Sequence, residues 1–252
     1  MRFIILLLWL AETAWALPAT DEPPWEAQPR LAADSQKPDP EWWEQHQSLL
    51  RKAREGNVEV LLLGDSITEA WDSAPDVWNA HFAGYTVANF GISGDTTQNL
   101  LWRITIGGEL AGLSPRLVVL LIGTNNLDQR NDSSADTARG VEAIVQTLRT
   151  SLPDAKILLL GIFPRGATRN AVFRQRIRDV NQAIARLANR SAIRYLDIGP
   201  RLLDPDGNLL ADALPDGIHP SVKGYAIWAD AMQPELEAFI RRRMNDVALK
   251  AR

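Results

Sequence analysis

Apolar residues recur along this chain in two alternating rhythms. Short, mostly apolar runs cover residues 58–63, 86–90, 117–122, 157–162 and 193–198. Runs of that length, rich in Val, Ile and Leu, suit parallel strands covered on both faces. Between them the apolar positions step by three and four, the period of a helix packed on one side. Trp42, His46, Leu49 and Ala53 form one such face in a helix over 41–55, which Gly56-Asn57 stops. A helix through Leu101 and Ile104 follows Asp95 or Thr96 as its cap, and another spans 134–151. Phe173, Ile177, Val180, Ile184 and Leu187 mark the next. The last covers 222–243, with Tyr225, Trp228, Met232 and Leu236 inward. Strand–helix alternation of this kind predicts an α/β fold of three layers, α/β/α, around a five-stranded parallel sheet with right-handed crossovers.

Composition narrows the classes. At 252 residues, 46% hydrophobic and 23% charged, the chain suits one globular domain, read here as residues 41–245. A net charge of −4 argues against a nucleic-acid partner, which usually leaves a basic patch. The run Arg241-Arg242-Arg243 reads as a solvated helix face near a helix end. Residues 1–16 read as a signal peptide: Arg2, an apolar run over 3–11, and Ala14-Trp15-Ala16 as a cleavage pattern. That reading predicts a secreted or periplasmic protein with no membrane span once the leader is removed; an uncleaved anchor is the competing reading. Residues 17–40, rich in proline and acid, read as an extended lead-in, with Trp25 as its anchor on the domain. The absence of cysteine excludes thiol nucleophiles and thiolate metal sites. No G-x-G-x-x-G or P-loop is present, and three scattered histidines without H-E-x-x-H give no metal site, so no cofactor is expected.

Four polar clusters fall at strand ends or late loops: Gly64-Asp65-Ser66, residues 91–95, residues 123–126, and Asp216-Gly217-Ile218-His219. The carboxyl ends of parallel strands share one rim, so the first three are neighbours in space. The loop before the last helix can bring the fourth to the same rim. Ser66, at a strand-to-helix turn, is a poor nucleophile until a base takes its proton. His219 lies in a loop flanked by glycine and proline, beside an acid. Asp216, three residues earlier, can accept from its ring N–H and stabilise the imidazolium. Asp212 competes for that role but lacks the tight spacing. The Ser66 N–H, the Gly94 N–H and the Asn125 side-chain amide are the candidate oxyanion donors, with Gly91 or Ser93 as alternatives to Gly94. Asp65 and Asp95 read as cap and loop residues, His46 and His81 as structural, and Arg165 as either a substrate contact or an ion-pair partner.

These blocks resemble the SGNH hydrolases, also called the GDSL esterase/lipase superfamily. Ser66 in Gly-Asp-Ser, Gly94 in Gly-Ile-Ser-Gly-Asp, Asn125 in Gly-Thr-Asn-Asn and His219 in Asp-Gly-Ile-His-Pro match its four blocks in order, over about residues 58–240. The resemblance implies Ser66 as nucleophile, His219 as base, Asp216 as the third triad member, and Gly94 and Asn125 in the oxyanion hole. Residues 89–97, Leu101-Trp102-Arg103 and Phe163-Pro164-Arg165-Gly166 are similar to the platelet-activating-factor acetylhydrolase catalytic-subunit branch. That branch implies a sheet of five parallel strands and cleavage of small acyl groups. The first block ends in Ile67 where the motif has Leu, a conservative change. The leader departs from the branch's cytosolic members, so their phospholipid substrate is not carried over. The expected function is a serine esterase removing short acyl groups, acetyl foremost, from a carbohydrate or other small ester. An O-acyltransferase using the same acyl-enzyme and a carbohydrate-binding protein with a silent site are the alternatives.

Overall fold

The computed structural model describes residues 22–250 except 34, 169, 170 and 190. The signal-peptide reading of residues 1–16 therefore lies outside the described residues, as do the side chains of Arg241, Arg242 and Arg243.

Five parallel strands form the sheet: β1 (Val60–Gly64), β2 (Val87–Gly91), β3 (Leu117–Leu121), β4 (Lys156–Leu160) and β5 (Ile193–Leu196). Their order is β2-β1-β3-β4-β5. The chain moves to one side of β1 for β2, then crosses to the other side for β3. The topological switch point of an open α/β sheet thus lies at the end of β1, where ligands bind. Ser66 lies two residues past the end of β1. This is the five-strand parallel α/β fold that the hydrophobic pattern predicts.

The strands are covered on both faces, and their alternation divides the core in two. Leu61 and Leu63 of β1, with Val118 and Leu120 of β3, pack against α1 (Pro40–Glu55), α4 (Thr97–Ile104), α6 (Ser134–Ser151) and α7 (Val172–Ile184). Val60, Leu62, Val119 and Leu158 face the other layer, built from α3 (Pro75–Phe82), the turn carrying Trp71, and α8 (Val222–Lys250). Trp71 is the hub of that second layer. Its ring lies 4.5 Å from Tyr225, 4.9 Å from Trp228 and 5.6 Å from Phe82, centroid to centroid. The tryptophans here are core residues. Helix α1 buries Trp42, His46, Leu49 and Ala53, the face its periodicity predicts.

Helix starts follow their capping chemistry. The Asp39 carboxylate accepts from the Trp42 N–H at the start of α1, with Pro40 at the first helical position. Thr96 rather than Asp95 caps α4, through a reciprocal box with Asn99. Strand β5 ends at Leu196, two residues short of the predicted end. The reason is local: the Asp197 carboxylate turns back to accept from the Gly199 N–H, which starts a turn.

At the end of β1 the backbone is too crowded for a side chain. A Cβ on Gly64 would lie 2.1 Å from Thr68 Oγ1 and 2.4 Å from the Leu121 carbonyl oxygen. Gly64→Ala is expected to cost about 1–3 kcal/mol of stability, because a backbone atom must move. Urea unfolding of the variant beside the wild type measures it.

Candidate functional site

Strand register levels the rim. Gly64 sits opposite Gly91 on one side and Leu121 on the other, so the loops after β1, β2 and β3 begin at one height. Ser66 opens α2 (Ser66–Glu69), a single turn capped by Asp65, whose Oδ1 accepts from the Ile67 N–H at 3.0 Å. The Asn89 amide donates to the Thr68 and Glu69 carbonyls, fastening α2 to β2. The Tyr225 hydroxyl donates to the Ile67 carbonyl at 2.9 Å and fastens it to α8.

The loop before α8 does reach this rim. Ser66 Oγ lies 3.0 Å from His219 Nε2. His219 Nδ1 lies 2.6 Å from Asp216 Oδ2. Asp216 Oδ1 accepts from the backbone N–H groups of Ile218 and His219, at 2.8 and 2.7 Å. The acid is therefore positioned by its own tight loop. Burial pulls its pKa upward, but the His219 ring and these two N–H groups win and hold it below the usual carboxylate value. Asp212, the alternative acid, pairs with Lys223 instead. A cavity of about 370 Å³ adjoins Asp216, lined by Arg165, Phe173, Leu214 and Ile218 among others.

The expected oxyanion elements are tied to each other. The buried Asn125, in α5 (Thr124–Asp128), donates one amide hydrogen of Nδ2 to the Asp95 carbonyl at 2.9 Å. Its second hydrogen is left for another acceptor. Gly94 lies in a turn closed by the Asp95 N–H donating to the Ile92 carbonyl, with φ of +75°. Asp95 joins the two elements. It neighbours Gly94 in the chain and holds Asn125 through its carbonyl.

Asp95 is more than a loop residue. Its carboxylate is completely buried and accepts from Arg103 Nη1 at 2.7 Å, Trp42 Nε1 at 2.7 Å and Arg30 Nη2 at 3.1 Å. Arg103 also binds Glu109 and the Phe90 carbonyl. Glu109 in turn meets His46 Nδ1 at 2.7 Å. Burial alone would raise the Glu109 pKa, but the Arg103 guanidinium and His46 hold it below normal. Sequence reasoning missed this network. The signal was Arg103, a charged residue among the apolar positions of α4, one turn on from Leu100.

The remaining candidates have structural partners. His46 belongs to the network just described. His81 approaches Gln233 and Asp230 of α8. Arg165 pairs with Asp128 at 2.7 Å and lies over the Phe173 ring. Trp25 is covered by the Arg139 guanidinium, 3.3 Å above its ring.

Comparison with known proteins places this arrangement. The fold, with its motif blocks, is that of an acylhydrolase, and the chain belongs to the GDSL-like lipase/acylhydrolase family, whose model matches residues 62–227. It is a carboxylic ester hydrolase. It is 35% identical over 199 residues to the rat platelet-activating factor acetylhydrolase IB subunit alpha2, covering 77% of this chain and 83% of the relative. In fold it is similar to a Streptococcus pneumonia protein described as a platelet activating factor. There the TM-score is 0.63 and the identity 24%, over 77% of this chain and 94% of that one. It is also similar to an acetyl-xylooligosaccharide esterase from Geobacillus, with TM-score 0.56 and 19% identity, over 71% of this chain and 94% of the other. The curated relatives also correct one expectation. The leader reading points to a secreted or periplasmic protein, but the platelet-activating factor acetylhydrolase IB subunits are intracellular. The secreted or periplasmic assignment is withdrawn.

Asp65 makes the site's surroundings pH-sensitive. It is fully buried, and its Oδ2 has no partner among the described residues. Burial, with the nearby Asp95 charge adding to it, pushes its pKa up to about 7, against the Ile67 N–H and Arg165. Between pH 4 and 7 the folded protein keeps a proton that the unfolded chain releases. Stability from this group is full below pH 4 and falls as pH rises toward 7. Asp65→Asn is expected to remove that fall. Urea unfolding from pH 4 to 7 should show the variant gaining stability relative to the wild type as pH rises.

Proposed function

We propose that this protein is a serine esterase that removes short acyl groups, acetyl foremost, through an acyl-enzyme formed on Ser66. The observation that carries the reading is the hydrogen-bonded line from Ser66 Oγ through the His219 ring to Asp216. With Nδ1–H donating to Asp216, His219 presents an unprotonated Nε2 to the serine hydroxyl, the tautomer a general base needs. Ser66 Oγ attacks the ester carbonyl as its proton passes to Nε2. The tetrahedral oxyanion is met by the Ser66 and Gly94 N–H groups and the free amide hydrogen of Asn125. As the intermediate collapses, the alkoxide leaves with the proton held on His219. Water then repeats the sequence and frees the acid. Asp216 stays ionised throughout, stabilising the imidazolium formed in each half-reaction.

The substrate class draws on the relatives. The curated ones are acetylhydrolases, and one structural neighbour is an acetyl-xylooligosaccharide esterase. Together they favour an acetyl ester, with an acetylated carbohydrate as the alcohol side. The adjoining cavity of about 370 Å³ beside Asp216 has room for part of the alcohol side. An acyl-chain series of p-nitrophenyl esters tests the first part, and a panel of acetylated oligosaccharides the second.

Ser66→Ala is expected to lower kcat on p-nitrophenyl acetate by about 10³-fold or more, with the melting temperature little changed. Undiminished turnover would refute the assignment. Asn125→Ala should lower kcat by about 10²–10³, the usual cost of one oxyanion donor. Steady-state kinetics on folded, matched preparations measures both.

A further inference from the structure

The oxyanion loop is gripped by a residue from outside the α/β domain. Arg30 lies in the segment before α1, which runs across the rim. That segment is fixed by the Gln28 N–H donating to the Gln98 carbonyl, Thr97 Oγ1 donating to the Pro24 carbonyl, and Asp39 N–H closing onto the Arg30 carbonyl. Arg30 Nη2 donates to the Ser93 carbonyl at 2.6 Å and to Asp95 Oδ1 at 3.1 Å, the residues on either side of Gly94. Its guanidinium covers Gly94 as well. A Cβ there would sit 3.0 Å from Nη2 and 3.4 Å from Cζ and Nη1.

The geometry of the turn gives this contact a consequence. Residues 92–95 form a hydrogen-bonded turn with glycine at the third position and positive φ, as in a type II turn. The central peptide of such a turn joins the Ser93 carbonyl to the Gly94 N–H. That unit is planar and trans, so its C=O and N–H point in opposite directions. A glycine here also permits the turn in which this peptide is flipped, because it tolerates either sign of φ. A flip would reverse the Gly94 N–H. Whatever holds the Ser93 oxygen therefore holds the direction of the Gly94 donor. Arg30 makes a charge-assisted bond to that oxygen, and its other contact is the Asp95 carboxylate, which Arg103 and Trp42 keep immobile.

We propose that Arg30 is a positioning residue that locks the Ser93–Gly94 peptide with its N–H aimed at the oxyanion. The proposal rests on the reading of Gly94 as an oxyanion donor. It makes the segment before α1 part of the catalytic apparatus. Arg30 need not touch the substrate; it acts through the loop. The effect belongs to the transition state, because the donor it aims matters most once charge has developed on the acyl oxygen.

The test uses the full chain and Arg30→Ala, Arg30→Gln and Arg30→Lys, assayed on p-nitrophenyl acetate beside Ser66→Ala. The Arg30 side chain is 30% exposed, so its removal opens no core cavity. Ala and Gln variants are expected to lose about 10- to 100-fold in kcat, less than deletion of a donor outright, with KM within about twofold of wild type. Lys, whose ammonium can still donate to the Ser93 carbonyl, should recover much of the loss. Millimolar guanidinium should raise the activity of the Ala variant and leave the wild type unchanged. Wild-type kcat in the Ala variant overturns the proposal. So does a loss that neither Lys nor guanidinium relieves, since that marks a merely structural role. If Ser66→Ala itself retains turnover, the esterase reading fails instead, and the two failures are distinguished in one assay.

Discussion

The Asp95 carboxylate is the constraint on which the rest of this structure depends. It is fully buried, and such a charge is tolerated only when its acceptors are filled by well-placed donors. Here the donors come from three separate stretches: Arg103 on α4, Trp42 on α1 and Arg30 before it. Each must be in place for the charge to be matched. The arrangement contributes little net stability compared with an apolar core of the same volume, but it admits one geometry. Losing Arg103 would strand two buried carboxylates, Asp95 and Glu109, at once. The same residue that gathers these donors lends its carbonyl to Asn125 and follows Gly94 in the turn proposed to hold the oxyanion.

The site combines two regimes. Below the rim, the buried groups around Asp95 fix the loops after β2 and β3. At the rim, His219 and Asp216 are partly exposed and depend on a short local turn. Asp216 needs no burial to orient the imidazole, because two backbone N–H groups three and two residues on already hold its other oxygen. Tyr225, at the start of α8, connects the regimes. It anchors α2 from below while the loop just ahead of α8 carries the histidine above. The sheet order completes the arrangement. Because β2 and β3 lie on opposite sides of β1, their loops flank Ser66 and converge on it.

Much of this was legible in the amino-acid pattern, for identifiable reasons. Continuous apolar runs and helical spacing locate elements because β1 and β3, buried on both sheet faces, have no polar position to blur them. Ser66, Asn125 and the Asp216–His219 pair stand out because polar residues at strand ends share a rim in any parallel sheet. Pairing Asp216 with His219 rested on their three-residue spacing, which a tight loop makes sufficient. The network around Asp95 was not legible. Its members are scattered from Arg30 to Glu109, and each taken singly reads as a cap, a core residue or a surface charge. Only the folded geometry sets Arg103 between Asp95 and Glu109. Arg30 was hidden for a different reason, since a proline-rich stretch has no periodicity to show which side chain turns inward. The early end of β5 was likewise invisible, because it depends on the side chain of Asp197 competing for backbone.

The central claim is that Ser66 carries the acyl group during turnover. The most direct measurement is covalent labelling with a fluorophosphonate, followed by intact-mass analysis and peptide mapping. The account predicts one phosphonyl adduct per chain, on the peptide containing Ser66, with hydrolysis of p-nitrophenyl acetate lost in proportion to labelling. An adduct elsewhere, or full activity retained after Ser66 is modified, would contradict it.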